Sequence, residues 1–362
     1  MKVKDLGEHA LLARLLARLP RPPATVLVGP GDDAAIVTHV RNQHLVITTD
    51  SLVEEVHFSR RYFAPADIGH KALAVNLSDL AAMGASPRWA LLSLVLPGSW
   101  PVSDVEDLMD GLVELGRLHG ISVVGGNITR TNGPLVVDVT LGGDVRPRRW
   151  LTRGGAQAGD FIYVSGTLGG AKAGLEMLSV AGSLEPGAGN RDVACEMRQR
   201  RPEPRVRLGR AMAGARAARA AMDLSDGLAD ALRQVAAASA CGVRIDAAAV
   251  PIQPGAAEWW TARGVDPVRS AVAGGEDYEL LFAVPARGAG RLRNARRHVA
   301  DPPITKIGVF TKDRGELVLD RAGALEPLPE GYEHYREPFG SAQGRPFDAA
   351  QGRPGTGSRE PS

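Results

Sequence analysis

The chain has 362 residues, 44% of them hydrophobic and 23% charged, with a formal net charge of +2. That length suggests two domains of ordinary size, and that composition a globular protein with ample material for a core. A charge so near neutral gives no global reason to expect nucleic acid or a membrane as partner, and the two cysteines, Cys195 and Cys241, are too few for a disulfide framework or a structural zinc site, which fits a reducing cytosol.

Residues 6–19 (LGEHALLARLLARL) predict a packed amphipathic helix. The stretch is short, and Arg14 and Arg18 interrupt it, so it reads as neither a signal nor a membrane span. Residues 26–28 are a short apolar run, and the GPGDD that follows is turn chemistry. Residues 34–40 and 44–49 are strand-like, with Arg41-Asn42-Gln43 as the loop of a hairpin. Pairing about that loop would set Asp33 opposite Asp50, two carboxylates within reach of one cation.

Residues 69–87 (GHKALAVNLSDLAAMGASP) predict the central helix. Lys71 to Met83 contains good helix formers without Gly or Pro, and Gly84 and Pro87 stop it. Apolar residues cover most of its circumference, so it should be buried on several sides. Lys71, Asn76, Ser78 and Asp79 nevertheless sit within it. Burying a lone carboxylate costs several kcal/mol, so Asp79 is either capped or salt-bridged, or it faces a polar cleft and binds a metal.

Residues 91–96 then read as a strand, 102–119 as a helix, and 121–124 as a strand that Gly125, Gly126 and Asn127 terminate. Residues 135–145 form another strand. This order is α+β. Gly and Pro cluster at 146–159, which predicts a domain boundary there. Beyond it come a strand at 161–165, a Gly-rich turn at 166–170, and a helix. Neither GxxxxGK[ST] nor GxGxxG is present. The basic loop 198–210 lacks aromatics and reads as a solvated connection rather than a nucleic-acid site; a helix at 207–219 follows. The strand 220–224 runs into Ser225-Asp226-Gly227 and the helix 228–239. Gly274-Gly275-Glu276-Asp277 precedes a strand at 278–284, and strands at 305–310 and 317–320 close this part. From 338 onward an eight-residue repeat (PFGSAQGR, PFDAAQGR) and its Gly/Pro/Gln-rich sequel predict a disordered tail.

Eight acids end a strand or interrupt an apolar helix: Asp32, Asp33, Asp50, Asp79, Asp223, Asp226, Glu276 and Asp277. No HExxH and no clustered histidines accompany them. Carboxylates without His or Cys favour hard divalent cations, Mg²⁺ above all, and Mg²⁺ favours phosphoryl transfer. Without a Walker lysine, metals would have to hold the nucleotide.

The segments GDDAA (31–35), TTDSLVEEVHF (48–58), GHKALAVNLSDLAAMGASP, GGNITR (125–130), LTRGGAQAGD (151–160), VSGTLGGAKAGL (164–175), RRPEPRVRLG (200–209), MDLSDGLADAL (222–232) and GGEDYELLF (274–282) resemble, in that order, the thiamine-monophosphate kinase family. The resemblance spans roughly residues 5–335. It implies the superfamily of aminoimidazole ribonucleotide synthetase and selenophosphate synthetase. The implied fold is an N-terminal α+β domain (1–150), whose sheet pairs across a homodimer, then a C-terminal α/β domain (151–337) and the tail (338–362). The implied reaction transfers the γ-phosphoryl of ATP to thiamine monophosphate, giving thiamine diphosphate and ADP, with several Mg²⁺ ions in a cleft. Position by position, Asp33, Thr48, Thr49, Asp50, Asp79, Asp223 and Asp226 match metal ligands, and Asp33, Asp50, Asp79 and Asp226 are the acids on which catalysis would rest. His57, Glu276 and Tyr332 match substrate contacts; Gly126, Arg153 and Ser225 match nucleotide contacts. Asn127 stands where the family carries a metal-binding Asp; it can still offer a neutral oxygen, so it counts as both a nucleotide and a metal contact. The rivals are a sister enzyme of the superfamily acting on another acceptor, and a non-catalytic binding protein.

Overall fold

The computed structural model describes residues 1–30, 34–181 and 192–331. Asp32, Asp33, Tyr332 and the repeat tail lie outside them. The first helical segment forms in two pieces, α1 (Val3–Leu6) and α2 (Glu8–Leu16), parted by Gly7 at φ 84°. That conformation is open to glycine and costly for other residues. Leu11 and Leu15 are buried, and Arg14 and Arg18 pair with Glu106 and Asp110. The amphipathic reading is therefore borne out, with one side apolar and the other ionic.

The expected hairpin does not form. Strand β1 (Val26–Val28) takes β2 (Ile36–Val37) as its partner. Strand β3 (His44–Val53) belongs instead to a four-stranded sheet with β4 (Ser86–Pro97), β5 (Ser122–Thr131) and β6 (Val136–Val145), in the order β3-β6-β4-β5. All ten residues of β3 pair antiparallel with β6, from His44 opposite Val145 to Val53 opposite Val136. A two-residue β2 could offer β3 only a fraction of that ladder. Strand β5 also continues past its glycines. The β4–β5 register steps over Val124 between Ala90 and Leu91, after which Gly125, Gly126 and Asn127 pair with Leu91, Leu92 and Ser93, so Asn127 lies in mid-strand rather than at an end.

Helices α3 (Pro65–Ala82) and α4 (Val102–His119) cross on one face of this sheet. Glycines set the crossing. A Cβ on Gly69 would lie 1.8 Å from the Leu108 carbonyl oxygen, and one on Gly111 2.0 Å from that of Ala66. The two backbones touch there, which side chains larger than hydrogen would forbid. Helix α3 is the predicted central helix, one turn longer at its start because Pro65 is well suited to the first helical turn.

A seven-stranded sheet follows, from β7 (Phe161–Ser165), β8 (Ala220–Asp223), β9 (Gly242–Asp246), β10 (Leu280–Val284), β11 (Ile304–Thr311), β12 (Leu317–Arg321) and β13 (Ala324–Pro327). Its order is β13-β12-β9-β11-β7-β10-β8, antiparallel except between β9 and β12. Helices α5 (Gly170–Ala181), α6 (Val193–Arg200), α7 (Val206–Gly214) and α8 (Leu228–Ser239) connect and cover it. The architecture is α+β, as the sequence predicts. Helix α3 also packs on α7 and β8, and one apolar cluster runs from Leu80 and Ala81 through Met212 to Phe282. The helix thus lies where the two sheets' elements meet. Among the described residues no helix is long and apolar enough to cross a membrane.

Candidate active site

From Lys71 to Leu80 every residue of α3 is buried except Asp79. Burial of Ala72, Leu73, Leu77 and Leu80 fixes the helix's rotation, and that rotation leaves Asp79 at an opening between β3 and β8. The Thr48 hydroxyl donates to Asp79 Oδ2 at 2.5 Å. The side chains of β3 alternate: Thr48, Asp50 and Leu52 face α3, whereas Leu45, Ile47, Thr49 and Ser51 face outward. Asp50 therefore joins Asp79. Asp223, at the end of β8, completes the group, and the buried Ser78 hydroxyl donates to its Oδ2 at 2.8 Å.

The electrostatics follow from this crowding. Burial, then the charges of Asp79, Asp138 and Asp226 and a hydrogen bond to Asp79, push Asp50 up to about 7. Burial and the charges of Asp79 and Asp50 push Asp223 to about 7, against the Ser78 hydrogen bond and Arg153. Asp79 is raised as well, by burial first; Thr48, Arg153 and its bond with Asp50 oppose the rise. Buried carboxylates that raise one another are short of positive charge. An all-oxygen donor set of this kind fits a hard cation such as Mg²⁺. Among the described residues no three His, Cys, Asp or Glu side chains converge closely enough to enclose an ion. Mg²⁺ suits that spacing, since it commonly keeps several waters and takes one or two carboxylates plus phosphate oxygens.

The DLSDG and GGED segments are stitched backbone to backbone beside these acids. The Glu276 N–H donates to the Ser225 carbonyl at 2.6 Å, and the Tyr278 N–H to that of Leu224 at 3.1 Å. A Cβ on Gly275 would meet the Ser225 oxygen at 2.7 Å, and one on Gly227 the Gly274 oxygen at the same distance. Glu276 itself holds φ 65° and Tyr278 φ 49°, conformations that cost a non-glycine residue energy.

Models of the AIR synthase related protein match the chain twice, the N-terminal domain at residues 31–145 and the C-terminal domain at 157–320. The chain is 40% identical over 339 residues to the thiamine-monophosphate kinase of Escherichia coli (strain K12), covering 92% of this chain and 99% of that one. The chain belongs to the thiamine-monophosphate kinase family. Among solved structures, thiamine-monophosphate kinase from Stenotrophomonas maltophilia K279a matches with a TM-score of 0.76 at 38% identity, over 88% of this chain and 97% of that one. A structure of AaThiL complexed with AMPPCP and TMP matches with a TM-score of 0.71 at 32% identity, over 92% and 99% of the two chains.

Against this thiamine-monophosphate kinase framework, the predicted site residues divide. Thr48, Asp50, Asp79 and Asp223 come together, and Asp226 lies near enough to act on Asp50. Arg153 acts on Asp79 and Asp223 while its Nη1 donates to Gln234 at 2.6 Å. His57 is oriented by the Val53 N–H, which donates to its Nδ1 at 3.0 Å. Thr49 does not join them: its hydroxyl donates to the Val139 carbonyl at 3.2 Å on the outer face. Asn127 is on that outer face too. It lies in one cross-strand row with Ser93, Asp138 and Ser51, and with Gly126 it lines a cleft of about 540 Å³ beside Ala34 and Ala35. Asp277 has a different task from its neighbours. Its carboxylate accepts from the Gly169 and Ala171 N–H groups at 2.6 and 3.1 Å and so caps α5. The reading from sequence missed Asp138, whose signal was an acid alternating within the apolar strand VVDVTL.

Proposed function

We propose that this chain is a Mg²⁺-dependent kinase that transfers the γ-phosphoryl of ATP to thiamine monophosphate, yielding thiamine diphosphate and ADP. The supporting observation is the meeting of Asp50, Asp79 and Asp223 where α3 reaches both sheets. Asp50, Asp79, Asp223 and Asp226, with the Thr48 hydroxyl, would hold Mg²⁺ on this side, and Asp33, Thr49 and Asn127 are the remaining candidate ligands. Bound Mg²⁺ would offset charge on the phosphate oxygens. Gly126, on the cleft beside Ala34 and Ala35, would contact the nucleotide there, and Arg153 and Ser225 would contact it on the side of Asp79 and Asp223. His57, Glu276 and Tyr332 orient thiamine monophosphate. A phosphate oxygen of that acceptor is ionised at neutral pH, so in-line attack needs positioning rather than a strong base.

The same reading takes residues 1–150 and 151–337 as two domains and the protein as a cytosolic homodimer. Leu45, Ile47 and Leu91 lie exposed on the outer face of the four-stranded sheet, a surface suited to a second copy. The deciding assay mixes protein, ATP, Mg²⁺ and thiamine monophosphate and looks for thiamine diphosphate. ADP formed only with another acceptor would instead favour a sister enzyme.

Two further results are expected. The first concerns pH. With folded-state values near 7, Asp50 and Asp223 favour the fold fully only below about pH 4 and lose that contribution as pH rises through 7. From pH 5.5 to 8 the metal-free protein should lose about 2 kcal/mol per independent group. His70 and His119, whose pKa values burial lowers, act in the opposite sense but equally with and without metal. The melting-temperature gap between Mg²⁺ and chelator should therefore widen from pH 5.5 to 8, and a constant gap would rule out metal at these acids. The second concerns Asn127. Asn127→Asp should lower the Mg²⁺ concentration for half-maximal activity about tenfold, corresponding to about 1.4 kcal/mol. An unchanged requirement in a Mg²⁺ titration would remove Asn127 from the ligand set.

A further inference from the structure

Lys71 lies in the middle of α3 and its side chain is wholly inaccessible to solvent. An ammonium in such a place is a poor stabiliser. Its desolvation costs several kcal/mol, and an apolar residue of similar volume often serves the fold as well or better. What Lys71 touches is therefore informative. Its Nζ lies 2.8 Å from Glu276 Oε1, donates to the His57 carbonyl at 3.2 Å, and sits 5.3 Å from the centre of the Phe63 ring.

Glu276 and His57 come from opposite ends of the chain, one from the turn before β10 and the other from the loop after β3. Lys71 bonds both. Glu276 needs the support, because its backbone holds a left-handed conformation. Its second carboxylate oxygen accepts from Gln199 Nε2 at 2.6 Å. With one donor on each oxygen the plane of the carboxylate is fixed, while the side chain stays partly exposed. At His57 the ring is already turned by the Val53 N–H, and Lys71 holds the backbone beneath it.

We propose that Lys71 is the positioning residue for the acceptor: it sets the distance and orientation between His57 and Glu276 and so determines affinity for thiamine monophosphate, without touching the nucleotide side. This rests on the functional reading above, in which those two residues contact that substrate. The Asp50–Asp79–Asp223 group lies about two turns further along α3, so loss of the ammonium should spare ATP.

The test is Lys71→Met, which keeps the stem's volume and removes the charge. KM for thiamine monophosphate should rise tenfold or more, while KM for ATP stays within twofold. In the Lys71→Met background, Glu276→Gln should add less than a twofold further rise, because the carboxylate it alters is already misplaced. Lys71→Gln, which keeps a donor for the His57 carbonyl, gives the same comparison if the Met variant does not fold, and should fall between the two. Wild-type turnover of thiamine monophosphate with both KM values unmoved in the variants, or moved together, would overturn the positioning role alone. A wild-type protein that does not act on thiamine monophosphate would overturn the functional reading and this inference with it.

Discussion

Asp79→Asn should lower turnover at least a hundredfold and leave the protein folded. Asn has the same shape as Asp, and Thr48 can rotate to satisfy either terminal atom, so packing around α3 is unchanged. What disappears is one negative charge beside Asp50 and Asp223, whose raised pKa values owe part of their rise to it. The metal-free protein is therefore relieved of repulsion and should be as stable as wild type, or more so by up to about 1 kcal/mol. The loaded protein loses a ligand or an electrostatic partner at the phosphoryl group, and removing one preorganised group of this kind costs about 10²–10³ in rate. Activity and stability thus move in opposite directions, which a merely structural acid could not produce. Turnover across a Mg²⁺ series and melting curves in chelator measure the two. Near wild-type turnover at limiting Mg²⁺ would show Asp79 to be a structural acid.

What was legible in the sequence was what local forces decide. The polar residues of α3 stand out because a helix otherwise apolar all round has nowhere cheap to put them, and the structure pairs Lys71 with Glu276, the Asn76 amide N–H with the Ala72 carbonyl, Ser78 with Asp223 and Asp79 with Thr48. Helix 228–239 and strand 161–165 follow from propensity and punctuation, and they form with those bounds. What failed was pairing between distant segments. The loop at 41–43 made a hairpin look natural, yet β3 finds a ten-residue partner nearly a hundred residues away. Nothing local encodes that choice. The same ladder separates Thr49 from Thr48, because alternation sends neighbours to opposite faces. Gly125 and Gly126 read as a strand end, yet both lie within β5, where Gly126 lets its backbone approach that of Leu92. Asp277 and Asp79 look alike as acids with no partner evident in the sequence, and only the position of α5's first N–H groups distinguishes a cap from a cleft acid.

Gly111→Ala should destabilise the protein by about 3 kcal/mol or more, and Gly116→Ala, five residues along the same helix, should stabilise it by up to about 1 kcal/mol. Alanine is the better helix former, so propensity alone favours both changes. Surroundings reverse the first. A Cβ on Gly111 would lie 2.0 Å from the Ala66 carbonyl oxygen and 2.7 Å from its carbonyl carbon, both backbone atoms of α3. No rotamer can relieve that contact; the helices must part by more than about 1 Å, opening the shared core along their length. A Cβ on Gly116 meets nothing nearer than 3.6 Å, at the Ile121 oxygen and a Leu73 methyl. It fills space and removes backbone freedom from the unfolded chain. Urea midpoints for the two variants and wild type give the comparison, and equal midpoints for both variants would mean that α3 and α4 do not touch at this crossing. Since α3 carries Lys71 and Asp79, whatever Gly111→Ala protein remains folded should also show a raised KM for thiamine monophosphate and a raised Mg²⁺ requirement, and Gly116→Ala neither.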